Sequence, residues 1–517
     1  MALILEHLES QHLVQGAVVA LLLIFVSSFY HDIADSFPYK NIPLIGKSRW
    51  ELSNSKAKQR FVTSAKELFA EGFSQGRKAF QLVSSSNQTV ILHPSLVDEV
   101  KNNPHLNFDE ANKKTFFGAK IPGFEVFGNM SPLVLDVINK RLTHSLGQLV
   151  RPLSKETGAV LQEKLPPSDT WSPISFAAEI PYIVARLSTL VFMGDKVCRD
   201  EQWLNVSVNF TINAFMGARD LRAWPSLLHP LVHWFIPSLQ RLRENLSIGK
   251  AIANQEISRR RLIREGRLPA ENPARSHEDV LDWFLEATAG REIDLAQWQM
   301  GLSLAAIHTT SNLLTNVMYD LAAHPEYIQV LRDEIKAVID EDGGCLKKTS
   351  LTKMKKMDSV LKESQRMNPP GLALLNRIAT KELTLSDGTR LPKGALMQVS
   401  AHNLQDETIY ASPGTYDGLR FHRWRQSPGN EHRFQFVTTS AEHFAFGHGT
   451  HACPGRFFAA HELKIVLVHL LLRYDWQFED RTERPPNFLH GTESICDPTV
   501  RLLFRGRTPE VELLGLE

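Results

Sequence analysis

One cysteine in the last part of the chain lies in a glycine-rich segment that could hold a metal ion. The segment Phe446-Gly447-His448-Gly449-Thr450-His451-Ala452-Cys453-Pro454-Gly455 precedes a predicted helix, Arg456 to Leu472. Glycines let backbone N–H groups approach the sulfur, and a helix N-terminus lowers a thiol pKa. A lone cysteine cannot complete a structural zinc site, but it can be the axial protein ligand of a haem iron. The alternative is a buried thiol beside a turn.

This segment resembles the haem-binding loop of the cytochrome P450 superfamily, Phe-x-x-Gly-x-(Arg/His)-x-Cys-x-Gly. The tail Cys453-Pro454-Gly455-Arg456-Phe457-Phe458-Ala459 is similar to the fungal secondary-metabolism branch. The resemblance implies that Cys453 binds the iron of haem b, and that Phe446, Gly449 and Gly455 belong to the cofactor site. It places His451 where many members have an arginine that contacts a haem propionate. A histidine can donate a hydrogen bond there, with a charge that depends on pH.

A long apolar helix, predicted over Leu295 to Ala322, carries the polar stretch Ala305-Ala306-Ile307-His308-Thr309-Thr310 at its middle. Buried threonines can simply bond back to the carbonyl four residues earlier. The superfamily has (Ala/Gly)-Gly-x-(Asp/Glu)-Thr-(Thr/Ser) at this place, so the resemblance implies that the Thr309 hydroxyl helps to deliver protons. His308 replaces the usual acid. A histidine can also relay protons, and we therefore expect both residues in the catalytic site.

Two arginines are expected at haem propionates by resemblance. Arg377 follows the Pro369-Pro370-Gly371 turn, where the superfamily has such an arginine, and its forked donors suit a carboxylate. The alternative is a surface arginine. Over residues 134–149, where relatives often have Trp-x-x-x-Arg, there is no tryptophan, and Arg141 or Lys140 is the expected substitute.

Glu363 and Arg366 are three positions apart on one predicted helix face and can therefore meet. By itself such a pair is usually a solvated ion pair. The superfamily has a buried Glu-x-x-Arg at this place that is tied to a later arginine, and Arg420 is the match here. The resemblance therefore implies a structural cluster of these three residues, which is costly to break.

The periodicity of the remaining chain predicts a mostly α fold with a small β-sheet part, the cytochrome P450 fold by resemblance. Pro325 begins a helix that runs to about Asp340, and another helix covers Leu351 to Met367. Leu383 to Leu391 reads as a hairpin with an Asp-Gly turn. The polar run from Asn403 to Gln435 is expected as a long meander.

Composition restricts the class of protein. The chain has 517 residues, 43% of them hydrophobic, and a net charge of +1, which argues against a nucleic-acid-binding protein. Its four cysteines are widely spaced with no C-x-x-C, which indicates reduced thiols in a cytosolic environment. The four are Cys198, Cys345, Cys453 and Cys496.

The apolar stretch from Leu13 to Tyr30 would be ~27 Å long as a helix, close to the thickness of a hydrocarbon core. Lysines and arginines follow this stretch and none precedes it, which predicts a cytoplasmic catalytic domain. A cleaved signal peptide is the alternative. We expect a single-pass protein of the endoplasmic reticulum membrane, divided into a short lumenal N-terminus (1–12), a transmembrane anchor (13–30), a hinge (31–50) and a haem-thiolate catalytic domain (51–517).

Substrate-facing residues are predicted by position only, and core packing is the alternative for each. One aromatic group, expected to roof the pocket, is Phe116, Phe117, Phe124 and Phe127. A second group, expected to cap the pocket or enter the bilayer, is Phe210, Phe215, Trp224, Trp234 and Phe235. A basic helix face, either solvated or a docking patch for a redox partner, is Arg259, Arg260, Arg261, Arg264 and Arg267.

The resemblance implies a haem-thiolate monooxygenase that inserts one atom of O2 into a C–H or C=C bond of a lipophilic secondary metabolite, a terpenoid or a polyketide. No flavin or dinucleotide domain is visible. Electrons are therefore expected from a separate NADPH–cytochrome P450 reductase, optionally with cytochrome b5. Two alternatives stay open: an isomerase or dehydratase on the same fold that does not use O2, and a non-catalytic haem-binding protein.

Overall fold

The structure is a computed structural model that describes residues 12–26, 30, 39–48, 50–51, 53–118, 120–128, 131–269, 278–289, 291 and 293–514. Most of the predicted lumenal N-terminus and part of the hinge lie outside the described residues. The α-helices of the described ranges are α1 His12–Val26, α2 Ser55–Thr63, α3 Ala65–Phe73, α4 Val97–Val100, α5 Phe108–Thr115, α6 Pro132–Asp136, α7 Thr143–Lys164, α8 Phe176–Met193, α9 Glu201–Arg222, α10 His229–Val232, α11 Pro237–Arg264, α12 Val280–Ala287, α13 Leu295–Ala323, α14 Glu326–Glu341, α15 Lys348–Lys353, α16 Lys355–Met367, α17 Arg420–Arg425 and α18 Arg456–Arg473.

The strands form four small sheets. The largest has the order β1-β2-β3-β9-β6-β4, a second has the order β10-β13-β5, and the pairs β11-β12 and β7-β8 are hairpins. The strands are β1 Leu44–Ile45, β2 Ala79–Ser84, β3 Asn87–Leu92, β4 Leu106–Asn107, β5 Ser172–Ile174, β6 Ala373–Ala379, β7 Leu383–Thr384, β8 Arg390–Leu391, β9 Leu396–Ser400, β10 Tyr474–Phe478, β11 Phe488–His490, β12 Glu493–Ile495 and β13 Leu502–Gly506. The mostly α fold with a small β part is therefore confirmed.

The long helix α13 forms the centre of the main core. The Asp294 side chain accepts the Gln297 N–H at 2.9 Å and so caps the first turn, and the helix ends before Pro325. Most of its side chains are buried against α8, α9, α11 and α16. The predicted bounds, Leu295 to Ala322, agree with the observed helix within one residue.

The predicted helix from Leu351 to Met367 is two helices, α15 and α16, and the single-helix prediction was wrong. The chain leaves helical geometry at Met354, with φ −71° and ψ 73°. The Glu334 carboxylate of α14 accepts the N–H groups of Lys356 and Met357 at 2.7 and 2.9 Å. The cap of α16 therefore comes from another helix, and the periodicity of the sequence cannot predict it. Pro325 is the cap before α14, not its first residue.

The predicted basic face of α11 is partly internal. Arg260 is buried and pairs with Glu256 and Asp279, both at 2.6 Å, while Arg259 also binds Glu256. Burial with several acids is stable only because the charges neutralise one another. Arg260 therefore joins α11 to α12 and is unavailable for docking, contrary to the expectation of one solvated face.

Two apolar helices bear on the membrane prediction. Among the described residues, α8 is long and apolar enough to cross a membrane, but 72% of it is buried, so it is a core helix. The shorter α1 is apolar and exposes its side chains, with Leu13 74% and Phe25 66% exposed.

The four cysteines are free thiols, as expected.

Candidate active site

The cysteine segment forms a tight loop that ends at α18. The Cys453 N–H donates to the Phe446 carbonyl at 2.7 Å and so closes the loop. Gly447 and Gly449 have φ values of +73° and +74°, which favour glycine. A Cβ on Gly449 would lie 2.3 Å from Asn102 Oδ1, the atom that accepts the Thr450 N–H at 2.8 Å. Gly449 therefore permits the close approach that anchors the loop.

The electrostatic surroundings of Cys453 act in two directions. Burial raises the pKa of the thiol, whereas the N–H groups of Gly455 and Arg456 and the charge of Arg456 lower it. These N–H groups belong to the start of α18, so the helix N-terminus faces the sulfur as the sequence predicted. Because burial is the larger effect, the sulfur needs a bound cation to remain a thiolate. This environment suits a metal ligand better than a free nucleophile.

Two side chains in the middle of α13 are exposed. Ala305 and Thr309, one turn apart, are exposed, although Ser303, Ile307 and Thr310 beside them are buried. The Thr309 hydroxyl donates to the Ala305 carbonyl at 2.8 Å, which is the back-bonding alternative for a helical threonine. Its oxygen still keeps lone pairs for a donor from the cavity. This strip of α13 therefore borders open space, although most of the helix is buried.

His308 points away from that strip. Its Nε2 lies 3.0 Å from the Val208 carbonyl of α9, so the nitrogen donates to that carbonyl. Burial lowers the pKa of His308, which keeps the ring neutral near pH 7. In this structure His308 links α13 to α9.

Arg377 and His451 both pack against one aromatic ring, that of Phe108. The Arg377 guanidinium carbon is 5.2 Å from the Phe108 ring centroid, and the His451 ring centroid is 5.6 Å from it. Burial lowers the pKa of Arg377 to about 10, with partial relief from Asp109. Burial and the Arg377 charge both lower the pKa of His451. Burial therefore disfavours both cations here.

The Arg377 guanidinium has an unused donor. Its Nη1 donates to the Asn376 carbonyl at 2.8 Å, while Nη2 is buried with no hydrogen-bond partner in the described part of the chain. A buried unpaired donor costs about 1–3 kcal/mol, which an anionic acceptor would remove. Arg377 is 2% exposed, so the surface-arginine alternative does not hold.

The structure does not bring Arg141 to this group. Its guanidinium is half exposed and pairs with Glu286 of α12 at 2.9 Å. Lys140, the other candidate, is exposed and pairs with Asp136 at 2.5 Å. Neither contacts Arg377, His451 or Cys453 among the described residues. The propionate contact expected of Arg141 or Lys140 therefore stays a prediction that these contacts do not support.

The predicted charge cluster of Glu363, Arg366 and Arg420 is confirmed. Glu363 and Arg366 are fully buried, and Arg366 donates to both carboxylate oxygens at 2.9 and 2.8 Å. Arg420 donates to the same oxygens at 3.2 Å. The two arginines also donate to carbonyls of Leu404 and Ala411, both at 2.6 Å. The cluster therefore fixes the meander before the cysteine loop.

The first aromatic group forms a packed layer near α13. Phe116 stacks on Phe127 at 4.1 Å and meets Phe215 of α9 edge-on at 5.3 Å. Gln297 of α13 donates to the Glu125 carbonyl beside this layer. Of the second group, Phe210 is a core residue, whereas Trp224, Trp234 and Phe235 are exposed at the surface.

A haem group fits these residues. The cysteine loop could provide a thiolate ligand, Arg377 has a buried donor that suits a propionate, and the strip of α13 is open to a ligand. Phe108, which packs against both Arg377 and His451, carries no sequence signal that separates it from other aromatic residues. Together with the helical fold, these features define a haem-thiolate protein.

Comparison with known proteins agrees with that class. The family model described as Cytochrome P450 matches residues 64–501. The chain is 39% identical to the cytochrome P450 monooxygenase ptmU of Penicillium ochrochloron over 483 residues, 92% of this chain and 94% of that protein. It is 36% identical to the cytochrome P450 monooxygenase TRI1 of Fusarium sporotrichioides over 474 residues, 90% of this chain and 86% of that protein.

Among solved structures, the retinoic acid-bound cyanobacterial CYP120A1 has a TM-score of 0.67 at 16% identity, with 90% of this chain and 99% of that chain covered. This likeness supports the fold alone. From the family match and the relatives, the chain belongs to the cytochrome P450 family and is a monooxygenase of the fungal secondary-metabolism type.

Proposed function

We propose that this monooxygenase binds haem b through Cys453 and inserts one oxygen atom into a C–H or C=C bond of a lipophilic terpenoid or polyketide. The observation that carries the proposal is the strip of Ala305 and Thr309, exposed in the middle of a helix that is otherwise core. The aromatic layer of Phe116, Phe127 and Phe215 gives that space an apolar boundary. Apolar walls select a lipophilic substrate.

The residues divide the work around the cofactor. Bound haem supplies the activation of dioxygen, which the thiolate ligand favours. Cys453 holds the iron, Arg377 and His451 hold propionate oxygens, and Thr309 offers its hydroxyl oxygen to a proton-carrying donor. The balance is one substrate, one O2, one NADPH and one proton giving the oxygenated product, NADP⁺ and water.

The electron donor in this proposal is a separate NADPH–cytochrome P450 reductase, with cytochrome b5 as an optional second donor. The match over residues 64–501 is to a P450 domain, and the proposal therefore assigns the flavin to a partner protein. A donor and an acceptor on the same membrane meet more often than two freely diffusing proteins.

We also propose that α1 anchors the protein in the endoplasmic reticulum membrane, with the catalytic domain in the cytoplasm. The exposed apolar side chains of α1 would otherwise contact water. Trp224, Leu231 and Phe235 provide a second apolar surface that suits the interface of the bilayer. Deletion of residues 1–38 should move the protein largely from carbonate-washed membranes to the soluble fraction. Full retention in the washed membranes would refute the anchor.

The haem ligand is tested by the spectrum of the reduced carbon monoxide complex. The wild-type chain should show a red-shifted Soret band, characteristic of a thiolate ligand, and Cys453→Ala should lose it. Cys345→Ala, at another free and partly exposed cysteine, is the matched control and should keep it. A band that persists in the Cys453 variant would sink the ligand assignment.

Catalysis is tested with added reductase, NADPH and lipophilic terpenoids or polyketides. The products should gain one oxygen atom, and ¹⁸O₂ should supply it. Turnover under nitrogen without reductase would contradict the monooxygenase reaction and favour an isomerase or dehydratase.

A further inference from the structure

Arg222, the last residue of α9, reaches from the aromatic layer toward the end of α5. Its Nη2 donates to the Thr115 carbonyl, and its guanidinium carbon lies 5.9 Å from the Phe117 ring centroid. These contacts hold the side chain between two elements of the layer. They use one of its three nitrogens.

The guanidinium is short of partners. Nε is buried with no hydrogen-bond partner, and Arg222 forms no ion pair with any carboxylate of the described residues. Burial lowers the pKa of Arg222, and Glu493 is the acid that acts against this effect. Glu493 is exposed at the start of β12. Arg222 is therefore a largely desolvated cation that has no carboxylate in ion-pair contact among the described residues.

The contacts of Arg222 lead, through Thr115, to the residue beside Arg377. Thr115 Oγ1 lies 3.5 Å from the Asn376 amide nitrogen, and Asn376 directly precedes Arg377 of the propionate side. The Asn376 amide oxygen is also buried without a partner. Two unpaired polar groups around one threonine are unusual in a packed core, where buried polar groups are nearly all paired.

A second set of contacts begins on α13 close to Thr309 and leads to Glu493. Asn312, one turn further along α13, donates to the Ser494 carbonyl at 3.2 Å and accepts the Cys496 N–H at 2.9 Å. Glu493 adjoins Ser494, and its backbone bridges to Gly371 before β6. These contacts connect α13, one turn beyond Thr309, to the elements that carry Glu493 and Asn376.

We propose that Arg222 is a specificity-determining residue that binds a carboxylate of the lipophilic substrate. A carboxylate would accept from the donors that Thr115 leaves free, and it would compensate the charge. The proposal rests on the proposed function, because it takes the space beside Thr309 as the substrate cavity. The substrate would then be a lipophilic carboxylic acid, held by its acid end away from Cys453.

A purely structural role, in which Arg222 only pins the Thr115 carbonyl, predicts different behaviour. Arg222→Gln keeps an amide N–H that can donate to that carbonyl and removes the charge. Arg222→Lys keeps the charge and loses the fork. Arg219→Gln is the matched control, because Arg219 lies one turn earlier on α9 and is exposed.

The experiment titrates the haem-loaded, full-length protein with matched pairs of acid and methyl ester: dodecanoic acid, abietic acid and oleanolic acid. Binding is read from the Soret shift and, independently of haem, by equilibrium dialysis. We expect the acid to bind at least tenfold more tightly than its ester in one or more pairs. Arg222→Gln should lose about ten- to a hundredfold in acid affinity with little change for the ester.

The controls separate the outcomes. Arg219→Gln should bind like wild type, and Glu493→Gln should bind acids at least as tightly, because a nearby negative charge is gone. Should Arg222→Gln fail to fold, Arg222→Lys is read instead and should keep part of the preference. Equal binding of acid and ester in every pair, no acid binding at all, or a preference that survives in the folded Gln variant overturns the proposal. Loss of the carbon monoxide band in wild type would overturn the proposed function, whereas the dialysis result would still decide the role of Arg222.

Discussion

Replacing Arg377 by methionine should change the haem-free and haem-loaded protein in opposite directions. Methionine is similar in length, fills the space against Phe108 and carries no charge. The structure gives Arg377 one neutral partner, the Asn376 carbonyl, and leaves Nη2 without one. A charged side chain in this position destabilises the fold until a propionate pairs with it. The substitution therefore removes a destabilising charge from the haem-free protein and a hydrogen bond from the haem-loaded protein.

The size of each effect follows from the geometry. A pKa lowered from 12.5 to about 10 corresponds to about 3 kcal/mol for holding the charge. Because the folded pKa still lies above 7, the guanidinium is charged at pH 7 and the whole cost is present. Loss of the hydrogen bond to the Asn376 carbonyl reduces this gain by about 1 kcal/mol. The haem-free variant should therefore gain about 2 kcal/mol in its free energy of unfolding.

The haem-loaded variant should lose a charge-assisted bond to a propionate, about 1.5–3 kcal/mol. This loss corresponds to about a ten- to a hundredfold faster release of haem. Haem transfer to apomyoglobin, followed at the Soret band, measures the rate. Urea unfolding of the haem-free chain, followed by tryptophan fluorescence, measures the stability.

Arg390→Met is the matched control, because Arg390 lies exposed on β8. It should leave both quantities unchanged. Haem release at the wild-type rate from Arg377→Met, together with a less stable haem-free chain, would show that Arg377 is a structural residue. The reasoning about the propionate would then be refuted.

Three further predictions follow from buried charges and from His308. Glu363→Gln should lower the free energy of unfolding by about 3–5 kcal/mol because Arg366 and Arg420 are left facing each other, and urea unfolding would contradict this with a loss below about 1 kcal/mol. His308→Ala should lower stability by about 1–3 kcal/mol through the unpaired Val208 carbonyl, and His308→Gln, which keeps a donor, should restore most of it in the same assay. Burial lowers the pKa of His469 from 6.5 to about 3, so stability should fall by up to about 5 kcal/mol between pH 6.5 and pH 3; His469→Leu should flatten this part of the pH–stability curve, and an unchanged slope would contradict the assignment.

The sequence predicts best the features that local spacing determines. The loop around Cys453 is short, and its glycines adopt the positive φ values that the loop requires. The sequence therefore predicts this loop well. The charge cluster of Glu363 and Arg366 also follows from spacing, since three positions on a helix bring side chains together. Its third member, Arg420, came from resemblance and is confirmed by contact.

Spacing fails where a partner comes from another part of the chain. The break between α15 and α16 depends on Glu334 of a neighbouring helix, and the position of Arg141 depends on Glu286. Phe108 organises Arg377 and His451, yet a phenylalanine at the start of a helix has no signal of that role. Arg222 follows Arg219 by three positions, so nothing in the spacing singles it out, and its proposed role emerges only from its contact with Thr115.

His308 shows how a different residue at one position of a motif can change the contact that this side chain makes. An acid at this position would face a choice between the cavity and α9, and as an acceptor it could not donate to a backbone carbonyl. The neutral ring of His308 can, and it uses Nε2 for the Val208 carbonyl. The exchange therefore converts a group expected in proton transfer into a bond between α13 and α9. Thr309 then remains, of this pair, the side chain that the cavity can reach, and α9, which ends at Arg222, becomes tied to the helix that carries it.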